Sequence, residues 1–171
     1  MDLMAFDQTG LYFDEPVPDT VQALIAEAGG AYGDPAAEAL LHRAYFLAPE
    51  ALVVLVALYR YYFYQHRLEE ALTVADRSLR IVGRRLGFPD EWTRLHPDFL
   101  GQAVLRSMGL LRFYLSVLKA AGYINLRLGR MEEGRSQIEK LIELDSHDRF
   151  GGKALLDVVV NAVAERIAEV A

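Results

Sequence analysis

A lag of 34 residues constrains this chain more than any other feature. Ala37, Leu41 and Ala44 are followed 34 residues later by Ala71, Ala75 and Ser78. A third, looser copy runs Gly129-Arg130-Met131-Glu132-Glu133-Gly134, then Ile138, Leu141, Leu144 and Asp145. Self-similarity at this period predicts stacked helix pairs, which serve as binding surfaces more often than as catalysts. Small residues (Ala37, Ala71, Gly134) stand near the start of each second helix, where two backbones must approach closely. Leu41 and Ile138 fill the gap between the paired helices, with the smaller Ala75 in the middle copy.

The turns before the second helices read Tyr32-Gly33-Asp34-Pro35-Ala36, His66-Arg67-Leu68-Glu69-Glu70 and Gly129-Arg130-Met131-Glu132-Glu133. Gly33 and Gly129 are placed where a helix ends and positive φ is needed. Pro35 and the Glu pairs suit a first helical turn, which favours proline and negative charge. Pro49 closes the first unit because a helix cannot continue through it, and Asp145-Ser146 has the corresponding place in the third.

On these residues the chain resembles the tetratricopeptide repeat family. The most similar stretch is Gly122-Tyr123-Ile124-Asn125-Leu126-Arg127-Leu128-Gly129-Arg130-Met131-Glu132-Glu133-Gly134 through Leu144-Asp145. It carries the family's helix, glycine turn, Glu-Glu-small opening and Leu-Asp ending. Val21, Leu55 and Leu118 begin the first helices in place of Trp, and Gly83 replaces the closing Pro of the middle unit. The resemblance implies an all-α, right-handed helical-repeat solenoid with a C-terminal capping helix. Its units would cover about 18–51, 52–85 and 115–148, with an insertion at 86–114 and the cap at 153–170. Residues 1–17 then form an arm ahead of a single domain, 18–171.

The arm holds Phe6, Leu11, Tyr12 and Phe13, and is expected to pack on the domain edge or to plug the domain's own surface. Helices are predicted at about 18–29, 35–47, 50–65 and 68–86. Pro89, Trp92 and Pro97 break helix in the segment Leu86 to Pro97. One long helix is predicted from Asp98, read as its N-cap, to about Leu128, followed by helices over about 131–143 and 153–170. In the last, Leu155, Leu156, Val159, Val163, Ile167 and Val170 recur at helical spacing.

With 171 residues, 53% of them hydrophobic, the chain can bury a sizeable core. It has no cysteine, which suits a reducing cytoplasm, and Met1-Asp2-Leu3-Met4 lacks the basic and apolar regions of a secretory signal. The most apolar stretch, Ala51 to Tyr59, is nine residues, against the ~20 of a membrane span. The formal charge of −6 weighs against nucleic acid as a partner. A cytoplasmic protein with neither membrane nor nucleic-acid partner is expected.

Catalytic patterns are sparse. His42, His66, His96 and His147 form no i, i+4 pair, and are read as surface or turn residues. Ser146-His147-Asp148 contains the residue types of a triad, but adjacency in sequence is not triad geometry. Gly29-Gly30-Ala31-Tyr32-Gly33 lacks the following Lys-Ser/Thr of a phosphate loop and is read as a turn. No enzyme, metal or cofactor is expected.

Binding residues follow from the resemblance, in which first helices line a concave groove. It places Val53, Val56, Ala57, Arg60, Phe63 and Tyr64 there from the middle unit, and Ser116, Lys119, Ala120, Tyr123, Leu126 and Arg127 from the third. Aromatics offer large contact area at low entropic cost, and Arg adds charge-assisted hydrogen bonds. The family's clamp for a terminal carboxylate is not expected, since Ala26 and Arg60 stand where its Asn pair would be. Arg77, Arg80, Arg84 and Arg85 read as a solvated ridge balanced by Glu69, Glu70 and Asp76. The expected function is an adaptor or chaperone-like module holding a peptide or helix of another protein, similar in size to small bacterial secretion chaperones. The alternative is a homodimeric structural or assembly factor, in secretion or metalloenzyme assembly, that self-associates through the same apolar surface.

Overall fold

The structure, a computed structural model, describes residues 15–170, with side chains as far as Asn161. The predicted arm residues Phe6, Leu11, Tyr12 and Phe13, and the side chains of Val163, Ile167 and Val170, lie outside what is described. All regular structure among the described residues is helical: α1 (Asp19–Gly30), α2 (Pro35–Leu47), α3 (Leu52–Tyr64), α4 (Leu68–Leu86), α5 (Asp98–Arg127), α6 (Met131–Leu144) and α7 (Gly152–Val170). A short 3-10 turn, Trp92–Arg94, interrupts the segment between α4 and α5. The chain divides into two compact units, Met1–Ile81 and Val82–Ala171.

The first unit packs α1 on α2 and α2 on α3. Asp34 caps α2, its Oδ1 accepting the Ala36 amide at 2.7 Å, and Pro35 takes the first helical position. Ala37 and Ala71, the small residues of the repeat, are fully buried, as are Leu41 and Ala75 next to them. Burying each large apolar side chain in this core contributes about 1.5–3 kcal/mol. Ala51, at the start of α3, offers no capping side chain. Glu15 supplies one from 37 residues away: the Leu52 amide donates to its Oε2 at 3.1 Å. At the other end of α3 the chain turns through His66, whose φ is +58°. The Arg67 amide reaches back to Tyr62 O at 2.9 Å and the His66 amide to Phe63 O at 3.1 Å, which satisfies the last carbonyls of the helix.

The second unit repeats that turn. Gly129, φ +79°, ends α5 with Arg130 N to Asn125 O at 2.9 Å and Gly129 N to Leu126 O at 3.1 Å. α5 then packs on α6 at two glycines. A Cβ on Gly134 would stand 2.7 Å from Leu126 Cγ and 2.8 Å from the Gly122 carbonyl oxygen. A Cβ on Gly122 would stand 2.7 Å from Ile138 Cδ1. Only glycine permits this approach. Beside it, Asn125 Nδ2 donates to Gln137 Oε1 at 2.8 Å in the buried seam. Lys140 Nζ donates to Leu95 O at 2.9 Å, so the segment after α4 is tied to α6.

Two details of α5 differ from the sequence reading. Asp98 is the first helical residue rather than the cap, a place held by Pro97. Nor is α5 one uninterrupted helix: Ser107 is extended, with φ −166° and ψ +110°. Its Oγ accepts the Leu110 amide at 3.1 Å, so Ser107 ends one helical segment and caps the next.

Candidate functional site

The predicted binding residues fall on two helices. Val53, Val56, Arg60, Phe63 and Tyr64 lie on α3 at helical spacing along one side, and each is at least partly exposed. The opposite side of α3 is fully buried through Leu52, Leu55, Leu58, Tyr59 and Tyr62. Phe63 stacks on Tyr59 with ring centroids 5.7 Å apart and meets Tyr64 edge-on at 5.8 Å. The buried Tyr59 therefore holds a Phe63–Tyr64 pair at the surface, where Tyr64 is 40% exposed. Pairing of this kind pre-orders aromatic side chains and lowers the entropy a contact must offset.

Lys119, Tyr123 and Arg127 lie on α5. Lys119 has a structural task, its ammonium donating to the Phe150 carbonyl in the loop between α6 and α7. Burial holds the Lys119 pKa below the usual lysine value, while the Asp148 charge works the other way. Arg127 is exposed; its Nη1 donates to the Tyr123 hydroxyl at 3.0 Å, and the guanidinium lies 5.8 Å from that ring's centroid.

Sequence reasoning missed a polar cluster in the first unit. Tyr62, at the end of α3, has its hydroxyl 2.7 Å from His42 Nε2 and 3.4 Å from Glu38 Oε1. Arg67 donates to Glu38 Oε2 at 2.8 Å and to Glu70 Oε1 at 2.8 Å, with its guanidinium 4.7 Å from the centre of the Tyr62 ring. Burial and then the Glu38 charge raise the Tyr62 pKa. The two carboxylate bonds raise that of Arg67, and the Arg67 bond lowers that of Glu70. The charges satisfy one another, so the cluster ties α2, α3 and the start of α4 together. Glu38 stands 24 residues from Tyr62 and 29 from Arg67, so no local pattern in the sequence could have found it. Among the described residues no three His, Asp or Glu side chains converge as metal ligands.

These observations define an all-α chain that displays an aromatic and cationic stripe on one helix. No helix among its described residues is long and apolar enough to cross a membrane. The chain is 47% identical over 165 residues to the "Uncharacterized 19.8 kDa protein in nifW 5'region" of Azotobacter chroococcum mcd 1, a match covering 96% of this chain and 92% of the relative. It belongs to the same family as that protein. No family model matches the chain, and no solved structure does.

Proposed function

We propose that the protein is a tetratricopeptide-like interaction module that holds an apolar segment of another protein against α3. The stripe Val53, Val56, Arg60, Phe63 and Tyr64 carries this reading: it is apolar and aromatic, partly exposed, and backed by a buried helix face. Three features support the repeat arrangement. The small residues Ala37, Ala71 and Gly134 are all buried. Leu41, Ala75 and Ile138 are buried beside them. His66 and Gly129 close α3 and α5 with the same left-handed turn. A stripe with a cationic member selects a segment that is apolar with an acidic residue beside it.

The relative takes its name from a place 5' of nifW, so the product of nifW is the first protein to offer as a partner. The test is capture of that product, and of proteins from the native extract, on the immobilised chain. Tyr64→Ala and Arg60→Glu should lower the affinity of the captured partner by about thirtyfold, the scale of an interface hot spot. The melting temperature should fall by no more than a few degrees. Capture that survives both changes sinks the α3 reading.

A further inference from the structure

Building on the reading of α3 as a partner's surface, we propose that residues 1–14 of this same chain lie along the α3 stripe and cover it until a partner displaces them. Glu15 sets where that segment starts. Its Oε2 holds the Leu52 amide at 3.1 Å, so the chain ahead of it departs from the first turn of α3. Pro16 disfavours helix at Glu15, and residues 15–18 form neither helix nor strand. In extended chain, alternate side chains share a face. Continued ahead of Glu15, such a chain puts Phe13 and Leu11 on the face that Glu15 turns to α3.

Length and charge choose the occupant. At helical rise, Val56 stands ~6 Å and Arg60 ~12 Å along α3 from Leu52. In extended chain, Phe13 stands ~7 Å and Leu11 ~13 Å back from Glu15. One register therefore sets Phe13 over Val56 and Leu11 beside Arg60, and brings Gly10 to the Phe63–Tyr64 pair. Residues 1–17 carry Asp2, Asp7, Asp14 and Glu15 and no Lys, Arg or His. Arg60 is the charged member of the stripe Val53, Val56, Arg60, Phe63 and Tyr64, so an acidic segment complements it. A segment tethered this closely competes at the high effective concentration of a short link. It keeps weakly binding apolar sequences off α3 and yields to a partner that binds more tightly.

The chain has no cysteine, so introduced pairs read the segment's position without interference. In the full chain equilibrated with glutathione, Phe13→Cys with Val56→Cys should close a disulfide within one molecule. Leu11→Cys with Arg60→Cys should do the same, which guards against a folding defect in either variant. Both effective concentrations should exceed that of Phe13→Cys with Phe46→Cys by about tenfold or more. Phe46, 85% exposed at the end of α2, is the rival apolar surface. Equal closure of all three pairs, closure at Phe46 instead, or disulfides only between copies overturns the proposal. Capture experiments separate it from the partner reading. Leu11→Asp with Phe13→Asp should tighten a partner held on α3 by about tenfold, because the surface is cleared. Closing the disulfide of Phe13→Cys with Val56→Cys should block that capture. Disulfides that form while capture is unaffected leave the cover in place and overturn α3 as the partner's surface. Capture lost on Tyr64→Ala without any disulfide in the two α3 pairs overturns the cover alone.

Discussion

At the scale of single residues, steric room decides what each glycine does. Gly134 in α6 would gain helix propensity on becoming alanine, worth about 1 kcal/mol. The added methyl would meet Leu126 N at 2.9 Å and the Gly122 oxygen at 2.8 Å. Backbone atoms cannot step aside, so overpacking of about 1–3 kcal/mol wins and Gly134→Ala should destabilise the protein. Gly29, in the last turn of α1, has nothing within 4 Å. There the same substitution should stabilise by about 0.5–1 kcal/mol. Urea denaturation of the two variants reads both signs, and a Gly134→Ala protein as stable as wild type would refute the close helix crossing. The repeat spacing made Gly134 legible as a small residue at a crossing. It did not show that Gly122 faces it, because that depends on how α5 and α6 rotate against each other.

At the scale of elements, helix ends were the most readable features. Asp34-Pro35 and Gly129 carry their own local chemistry, and α2 and the end of α5 form where that chemistry puts them. The start of α3 was legible only in position. Ala51 offers no side-chain acceptor, and the cap comes from Glu15, which no local pattern connects to Leu52. Glu15→Ala should therefore weaken the protein by about 1 kcal/mol, the usual value of a lost cap. Adding Ala51→Ser in the same chain should recover most of the loss by placing an acceptor at the cap position itself. Thermal unfolding of the single and double variants checks this, and an unaltered single variant would show that the Glu15 bond does not cap α3. The Ser107 break escaped the sequence reading because the run around it is apolar and free of proline. Serine's preference for N-caps was the available signal.

At the scale of the whole molecule, ionisation limits the pH range in which the fold persists. Burial raises the pKa of Tyr114, and burial with the Glu38 charge raises that of Tyr62. Both phenols are thus held neutral in the folded chain at a pH where the unfolded chain ionises them. The unfolded chain releases its protons from about pH 10 upward, so the folded state binds more protons there and stability falls as pH rises. Below that pH the contribution is fully present. Tyr114→Phe should flatten the decline between about pH 10 and about pH 12. Chemical denaturation at a series of alkaline pH values measures the slope, and an unaltered slope would mean that Tyr114 ionises as freely folded as unfolded.

By itself the sequence determined the all-helical class and most of the places where helices start and stop. Each follows from period, capping residues and apolar spacing, which act over one or two turns. The tertiary structure alone decided that Glu15 caps α3, that Glu38, Tyr62 and Arg67 converge, that Lys119 serves the α6–α7 loop, and that Leu105 is left exposed. These depend on the rotation and separation of helices distant in the chain. A shift of a few ångströms would undo each contact without changing any local preference.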